Sequence, residues 1–177
     1  NQALVMTADS IGDRAFQSEF DRGSGLRPNG QNASTYEGSE IDKYLETEWF
    51  ISLSSTMKAA IQTINIKQAS YLVYYGPDTK QETGPNGQIY NTISRHVFLP
   101  SVSEIGKAVD LKIRDKVIAF LNGTSIWARD SALGDAYNAV YLGAVDGRLH
   151  GYYVNYTFGV RPAFVVDLSQ VNYSVVK

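Results

Sequence analysis

The chain has 177 residues, with 16 Lys plus Arg against 18 Asp plus Glu and no cysteine. That length suits one domain, 1–177, with its own core, and the near-neutral balance lacks the basic footprint that phosphate contacts need, which argues against nucleic acid as a partner. The missing cysteines exclude disulfides, thiolate metal sites and thiol nucleophiles, and no apolar run reaches bilayer length, so no membrane insertion is expected.

Asn1-Gln2-Ala3-Leu4 has neither the charged start nor the apolar centre of a signal peptide, so the termini do not fix a compartment. Ala3-Leu4-Val5-Met6 predicts a short buried strand, and the Gly, Asn, Ser and Pro crowded between Asp21 and Ser34 predict a loop. Ser39 with Asp42 has the form of a capping box, and Ile41, Tyr44, Leu45 and Trp49 recur at helical spacing, so a helix is expected near 39–50. Thr56 to Ile64 reads as a second amphipathic helix burying Ala60, Ile61 and Ile64. Tyr71 to Tyr75 has strand composition, and Gly76-Pro77-Asp78 and Gly84-Pro85-Asn86-Gly87 make 76–91 an exposed excursion.

Val97-Phe98-Leu99 predicts a short apolar strand, followed by a capping box of Ser101 and Glu104 ahead of Ile105. Asp110 is placed to cap a further helix carrying Ile113, Val117, Ile118 and Leu121 on one face, with Asn122-Gly123 as its stop. From Ser125 the period becomes two. Asp146-Gly147 falls between Tyr137–Val145 and Arg148–Val154 as a hairpin turn would, and Val160 to Leu168 reads as a buried strand starting at Arg161-Pro162. Helices come first and strands last, without internal repeat or linker, which predicts a single α+β domain.

Catalytic patterns are sparse. His96 and His150 are the only histidines, no Gly-x-Ser-x-Gly elbow accompanies them, and His96 ahead of an apolar strand reads as structural. Asp130 and Asp135 could form a hydrolase pair, although spacing alone does not set their separation, and they lack the ordered ligand spacing of a calcium loop. Neither phosphate-binding glycine motif occurs, so a nucleotide enzyme is not expected; no residue pattern assigns a metal or other cofactor, and none is expected. Asn32, Asn122, Asn155 and Asn172 each begin a glycosylation triplet, a pattern that chance supplies in Asn- and Ser-rich chains. Twelve tyrosines and fifteen glycines suit a β-rich domain with many turns, and also a contact surface built from rigid tyrosines.

Ile126-Trp127-Ala128-Arg129-Asp130-Ser131, the Asp146-Gly147 turn, Phe158-Gly159-Val160-Arg161-Pro162-Ala163-Phe164 and Asp167-Leu168-Ser169 together resemble a bacterial and viral domain family. Tyr36-Glu37-Gly38-Ser39 running to Trp49-Phe50, and Val97-Phe98-Leu99-Pro100-Ser101 before Glu104, are similar to its earlier segments. Members of that family resemble the formylglycine-generating-enzyme branch of the C-type lectin fold, and several are variable proteins of diversity-generating retroelements. The resemblance implies a C-type-lectin-like fold, helices in the N-terminal two thirds and a mainly antiparallel sheet completed by the C-terminal strands. It also implies a strand ahead of Ala3, which is expected to be missing from the chain as given.

The branch's oxidase chemistry depends on cysteines and is not carried over, and the Glu-Pro-Asn and Trp-Asn-Asp signatures of calcium-dependent sugar binding are missing too. Retroelement mutagenesis of AAC codons cannot yield Lys, Glu, Gln, Met or Trp, and none of these lies between Ala128 and Val160; tight Gly-rich strands would exclude long flexible side chains as well.

The leading expectation is therefore a non-enzymatic receptor-binding domain, extracellular, on a cell surface or on a virion, recognising a protein or glycan receptor. Trp127, Val160, Ala163, Phe164 and Val166 would form the frame, with Arg129 and Arg161 tying loops through backbone carbonyls. The expected ligand-binding positions are Asp130, Ser131, Asp135, Tyr137, Arg148, His150, Tyr152, Tyr153, Asn155, Tyr156 and Phe158, with about half the tyrosines turned inward by strand alternation. The competing functions are a structural domain of a larger surface or tail assembly, and a carboxylate-dependent hydrolase.

Overall fold

A computed structural model describes residues 2–72, 80–82 and 90–174 of the chain. Strand β1 (Gln2–Met6) pairs antiparallel with the late strand β13 (Ala163–Asp167), from Gln2 opposite Asp167 to Met6 opposite Ala163. The predicted strand thus forms, but it is not buried: Leu4 and Val5 are exposed because, among the described residues, β1 is an edge strand with a neighbour on one side only. After β2 (Asp13–Ala15), a looping segment carries the chain to Ser39, whose Oγ accepts from the Asp42 amide at the start of helix α1 (Glu40–Tyr44). The Asp42 carboxylate does not return to the cap as in a full capping box. It accepts from the Gly38 amide and from Arg95 instead.

The helix continues through a π-helical turn (Leu45–Trp49) into α2 (Phe50–Ser52). The next helix, α3 (Ser55–Ala60), is shorter than the predicted 56–64 segment. Beyond Ala60 the β-branched residues Ile61, Thr63, Ile64 and Ile66 give strands β3 (Ile61–Gln62) and β4 (Ile64–Gln68), where such side chains lose less freedom than in a helix. Strands β5 (Ser70–Leu72), β6 (Lys80–Glu82) and β7 (Tyr90–Arg95) follow; most of the expected excursion at 76–91 lies outside the described residues.

Strand β8 (Val97–Phe98) is buried and leads to α4 (Val102–Ala108), which carries the predicted capping box: Ser101 Oγ accepts from the Glu104 amide while Glu104 accepts from the Ser101 amide. Helix α5 (Arg114–Leu121) is capped by Ile113 rather than Asp110, whose carboxylate closes a turn on the Lys112 amide just upstream. Val117 and Leu121 face inward and Ile113 does not. The helix stops at Asn122 in the left-handed region, φ 48°, followed by Gly123. The helices therefore alternate with strands instead of preceding them, and the body is mixed α/β and rich in sheet.

The remaining strands are β9 (Ile126–Ala132), β10 (Asn138–Leu142), β11 (Leu149–Tyr153), β12 (Thr157–Gly159) and β13. One sheet runs β1-β13-β3, with β8 also on β13; the larger runs β11-β10-β9-β12-β2, with β5 on β9 and β6 on β5; β4 and β7 pair separately. The predicted hairpin is β10–β11, in register from Asn138 opposite Tyr153 to Leu142 opposite Leu149.

Alternation along these strands divides the larger sheet into two faces. Ile126, Leu142 and Leu149 align across β9, β10 and β11 and, with Ala128 and Val140, pack against Ile105, Val117 and Leu121 of α4 and α5. Trp127, Tyr141 and His150 align across the same strands on the opposite face. Trp127 is fully buried beneath that face among Phe16, Tyr36, Phe98 and Val160, and Nε1 donates to the Arg14 carbonyl. Among the described residues, no helix is long and apolar enough to cross a membrane.

Candidate functional site

The face opposite α4 and α5 is a continuous run of aromatic rings. Tyr141 stands at its centre, stacked on Phe158 at 4.1 Å between centroids and on His150 at 5.1 Å. Tyr152 meets Tyr141 and Phe158 edge to face, and Tyr156 meets Tyr152 at 4.7 Å and 90°. A second column stacks Phe20, Tyr137 and Tyr153. Trp127 supports the first column from below, edge to face with Tyr141 and Phe158. Each such pair is worth about 0.5–1.5 kcal/mol beyond area burial, so the rings hold one another in place before any ligand arrives.

Two hollows adjoin these rings, and the Tyr152 ring, in contact with Tyr153 and Tyr156, links them. The larger is a groove of about 660 Å³ floored by Tyr141, His150, Tyr152 and Phe158. Asp135 and Asn138 line it, as do Val145 and Asp146 from the β10–β11 hairpin, and Ser125 and Leu133 complete its walls. The smaller, about 380 Å³, is lined by Phe20, Arg22, Tyr137, Tyr153, Asn155 and Tyr156.

Polar groups around the groove are held by local bonds. Asp135 accepts from the Tyr137 amide and from Asn138 Nδ2, which fixes the turn entering β10. Asp146 accepts from the Arg148 amide with Oδ1, and its Oδ2 lies 2.8 Å from His150 Nε2. Two glycines make this hairpin possible. A Cβ on Gly143 would stand 2.6 Å from Asp146 Oδ1 and 3.2 Å from the His150 ring, and Gly147 has φ 65° with its Cβ position 2.8 Å from the Arg114 carbonyl oxygen.

Of the expected ligand-binding positions, Asp135, His150, Tyr152 and Phe158 line the larger hollow, and Tyr137, Tyr153, Asn155 and Tyr156 line the smaller. Tyr153 and Tyr156 are about half exposed, at 48% and 52%, while Tyr152 is partly buried against the core. Arg148 is exposed but lines neither hollow.

Asp130 and Ser131 are corrections, for both are buried. Strand β9 is covered on both sides at this point, so alternation does not bring either side chain to solvent. Asp130 Oδ1 accepts from the Ala69 amide and Oδ2 from the Val102 amide, joining β9 to the start of β5 and to α4. Burial raises its pKa to about 6, against the opposing pull of Arg129 and of these two amides. Asp135 lines the groove and Asp130 does not, so the pair supposed for a hydrolase does not converge.

The frame residues stand where they were expected. Arg129 donates to the Lys67 and Leu99 carbonyls, and Arg161 to those of Thr7 and Phe120. Burial draws the Arg129 guanidinium down, but the hydrogen bonds and charge of Glu104 leave it above its ordinary value. His96 is also held structurally, with Nδ1 on Glu46, Nε2 on Thr63 and its ring stacked on Phe50.

Sequence reasoning missed Tyr141, Asn138, Phe20 and Arg22, and read Asp146, which lines the groove, as a turn residue only. Tyr141 was legible, because it lies two residues from Ala139 and four from Tyr137 on an alternating strand, with Val140 and Leu142 on the buried side. Phe20 and Arg22 come from the loop after β2, and nothing local ties them to a sheet more than a hundred residues on.

No curated protein and no solved structure matches the chain. A family model described as a domain of unknown function, DUF6273, matches residues 1–168. With that match running over nearly its whole length, the chain belongs to the DUF6273 family.

Proposed function

We propose that the chain is a recognition module of C-type-lectin-like fold, on the formylglycine-generating-enzyme branch, which acts outside the cell or on a particle surface by binding a protein or glycan receptor. The observation that carries this reading is the aromatic face itself: stacked rings, two hollows and half-exposed Tyr153 and Tyr156 rest on buried Trp127, while Arg129 and Arg161 are buried separately as loop ties. Rigid tyrosines give large contact area at low entropic cost, and their mutual stacking lowers the cost further.

The division between frame and face also supports diversification by a retroelement. Side chains on the face can vary with little loss of stability, whereas the buried loop ties cannot. The stretch between Ala128 and Val160 contains no Lys, Glu, Gln, Met or Trp, as mutagenesis of AAC codons requires. A template repeat and a reverse transcriptase beside the gene are expected; absence of both removes the diversification reading.

The binding reading is tested with cell envelopes and particles from the native host, presented to immobilised chain and to a Tyr152→Ala, Tyr153→Ala, Tyr156→Ala variant with unchanged circular dichroism. Wild-type retention with loss in the variant is expected. Equal retention by both moves the binding surface elsewhere.

A further inference from the structure

The groove has a charge pattern that its aromatic floor does not require. Among its lining residues are two carboxylates, Asp135 and Asp146, and no Lys or Arg. They stand off opposite ends of β10, Asp135 before Asn138 and Asp146 after Leu142, with Tyr141 between them. Each is already oriented by a backbone amide two residues on, from Tyr137 and Arg148 respectively. A carboxylate offers about four lone-pair positions, so both retain acceptor capacity beyond their internal bonds. The Asp146 side chain is 37% exposed.

The floor favours one shape of occupant. The two faces of Tyr141 are taken by Phe158 and His150, so a flat ring has no free face to stack on at the centre of the groove. What remains is a trough with an aromatic floor, which Ser125 and Asn138 also line, and a carboxylate towards each end of β10. The four steps from Asn138 to Leu142 span about 13 Å at roughly 3.3 Å each, and the carboxylates are held near the two ends of that span, Asp135 by Asn138 and Asp146 by Arg148 and His150 beside Leu142 and Tyr141. An extended peptide covers the same span between side chains four residues apart, and its middle side chain of the same face then falls over the rings.

We infer that the groove receives an extended segment of a protein partner with the pattern basic-x-apolar-x-basic, its two cations meeting Asp135 and Asp146 and its apolar side chain resting against Tyr141 and Tyr152. This deepens the recognition reading above and rests on it. The carboxylates supply selectivity for charge, and the aromatic floor supplies the contact area. The smaller hollow, which carries Arg22, does not share this preference.

The test uses fluorescence anisotropy with the intact chain and a labelled heptapeptide, Ser-Arg-Ser-Leu-Ser-Arg-Ser, against the same peptide with citrulline at both arginines. The arginine peptide is expected to bind about tenfold more tightly at low salt, with the advantage shrinking as the Debye length falls below about 8 Å. Asp135→Asn and Asp146→Asn are each expected to weaken it about two- to fivefold, as for exposed ion pairs. Val145→Lys serves as a second variant that should keep the fold, since Val145 is 88% exposed at the groove's edge; it too should weaken the arginine peptide, and by more than it weakens the citrulline peptide. Lys116→Ala, an exposed cation on α5 away from both hollows, should change neither. Equal binding of the two peptides, binding of neither, or indifference to all three groove variants overturns the inference. If the tyrosine variant loses host envelopes while the peptides show no preference, the aromatic face stands and the cationic occupant falls.

Discussion

Arg129 grips Glu104 through both nitrogens of its fork, Nη1 2.6 Å from Oε2 and Nη2 2.8 Å from Oε1. The same Glu104 Oε2 accepts from the Ser101 amide, so one carboxylate caps α4 and neutralises a buried guanidinium. Arg129 in turn ties Lys67 and Leu99, which places β4 and the end of β8 beside β9. Arg129→Met is expected to cost about 3–5 kcal/mol, because it leaves the carboxylate without its partner and two carbonyls without a donor. Glu104→Gln should cost a similar amount by stranding the guanidinium. The double variant should cost less than the sum, since each single change strands a charge that the double change removes. Urea unfolding of the three variants measures the cycle, and strict additivity would show that the two groups act independently.

Asp130 gives the chain a pH dependence of defined sign. Its folded pKa, about 6, lies above the ordinary 3.8, so the folded state holds this proton more firmly than the unfolded chain does. Stability from this group is complete below about pH 4 and is lost as pH rises through about 6. The difference corresponds to about 3 kcal/mol. Asp130→Asn does not titrate, so the stability of wild type relative to the variant should decline by about that amount between pH 4 and pH 7. Other carboxylates are common to both proteins and cancel. A flat difference across that range in urea titrations removes the effect.

How much of this was readable from the sequence follows from which interactions are local. The Ser101–Glu104 cap, the Asn122-Gly123 stop and the Asp146-Gly147 hairpin each depend on residues within a few positions, and all three form as expected. Trp127, Arg129 and Arg161 were recognisable as frame because their segments resemble a known pattern, and each proves to be buried. Failure came where distant strands decide. β1 reads as buried by its apolar run but lies at a sheet edge, and Asp130 reads as outward by its position but is covered by β5 and α4. Phe20 and Arg22 joined the site through tertiary packing alone.

Gly143 is a sensitive point in the groove, for a different reason from the turn glycine at 147. Its backbone is not left-handed, so alanine meets no conformational penalty there; the obstacle is Asp146 Oδ1, 2.6 Å from the new Cβ. Gly143→Ala should therefore push Asp146 away from His150, with a modest loss of stability of about 1–2 kcal/mol. The loss of the contact is measurable as a change in the His150 ring signals in a histidine-detected NMR spectrum. Unchanged signals would mean that the carboxylate can yield without leaving the ring.

The tyrosines on the face should separate into two groups by what their removal damages. Tyr141 is stacked on both sides and packs against the Trp127 cluster, so Tyr141→Ala should destabilise the fold by about 2–4 kcal/mol and disturb binding indirectly. Tyr153 and Tyr156 are about half exposed, and each keeps only part of its area in contact with the protein. Changing these two to alanine should cost about 1 kcal/mol or less each in stability while removing about 2 kcal/mol or more of partner binding, the pattern of contact residues over a preformed frame. Thermal unfolding and binding to host envelopes, measured on the same samples, distinguish the groups. If Tyr153→Ala and Tyr156→Ala unfold the chain as readily as Tyr141→Ala, the exposed rings are part of the frame, and the contact surface must be sought in the groove.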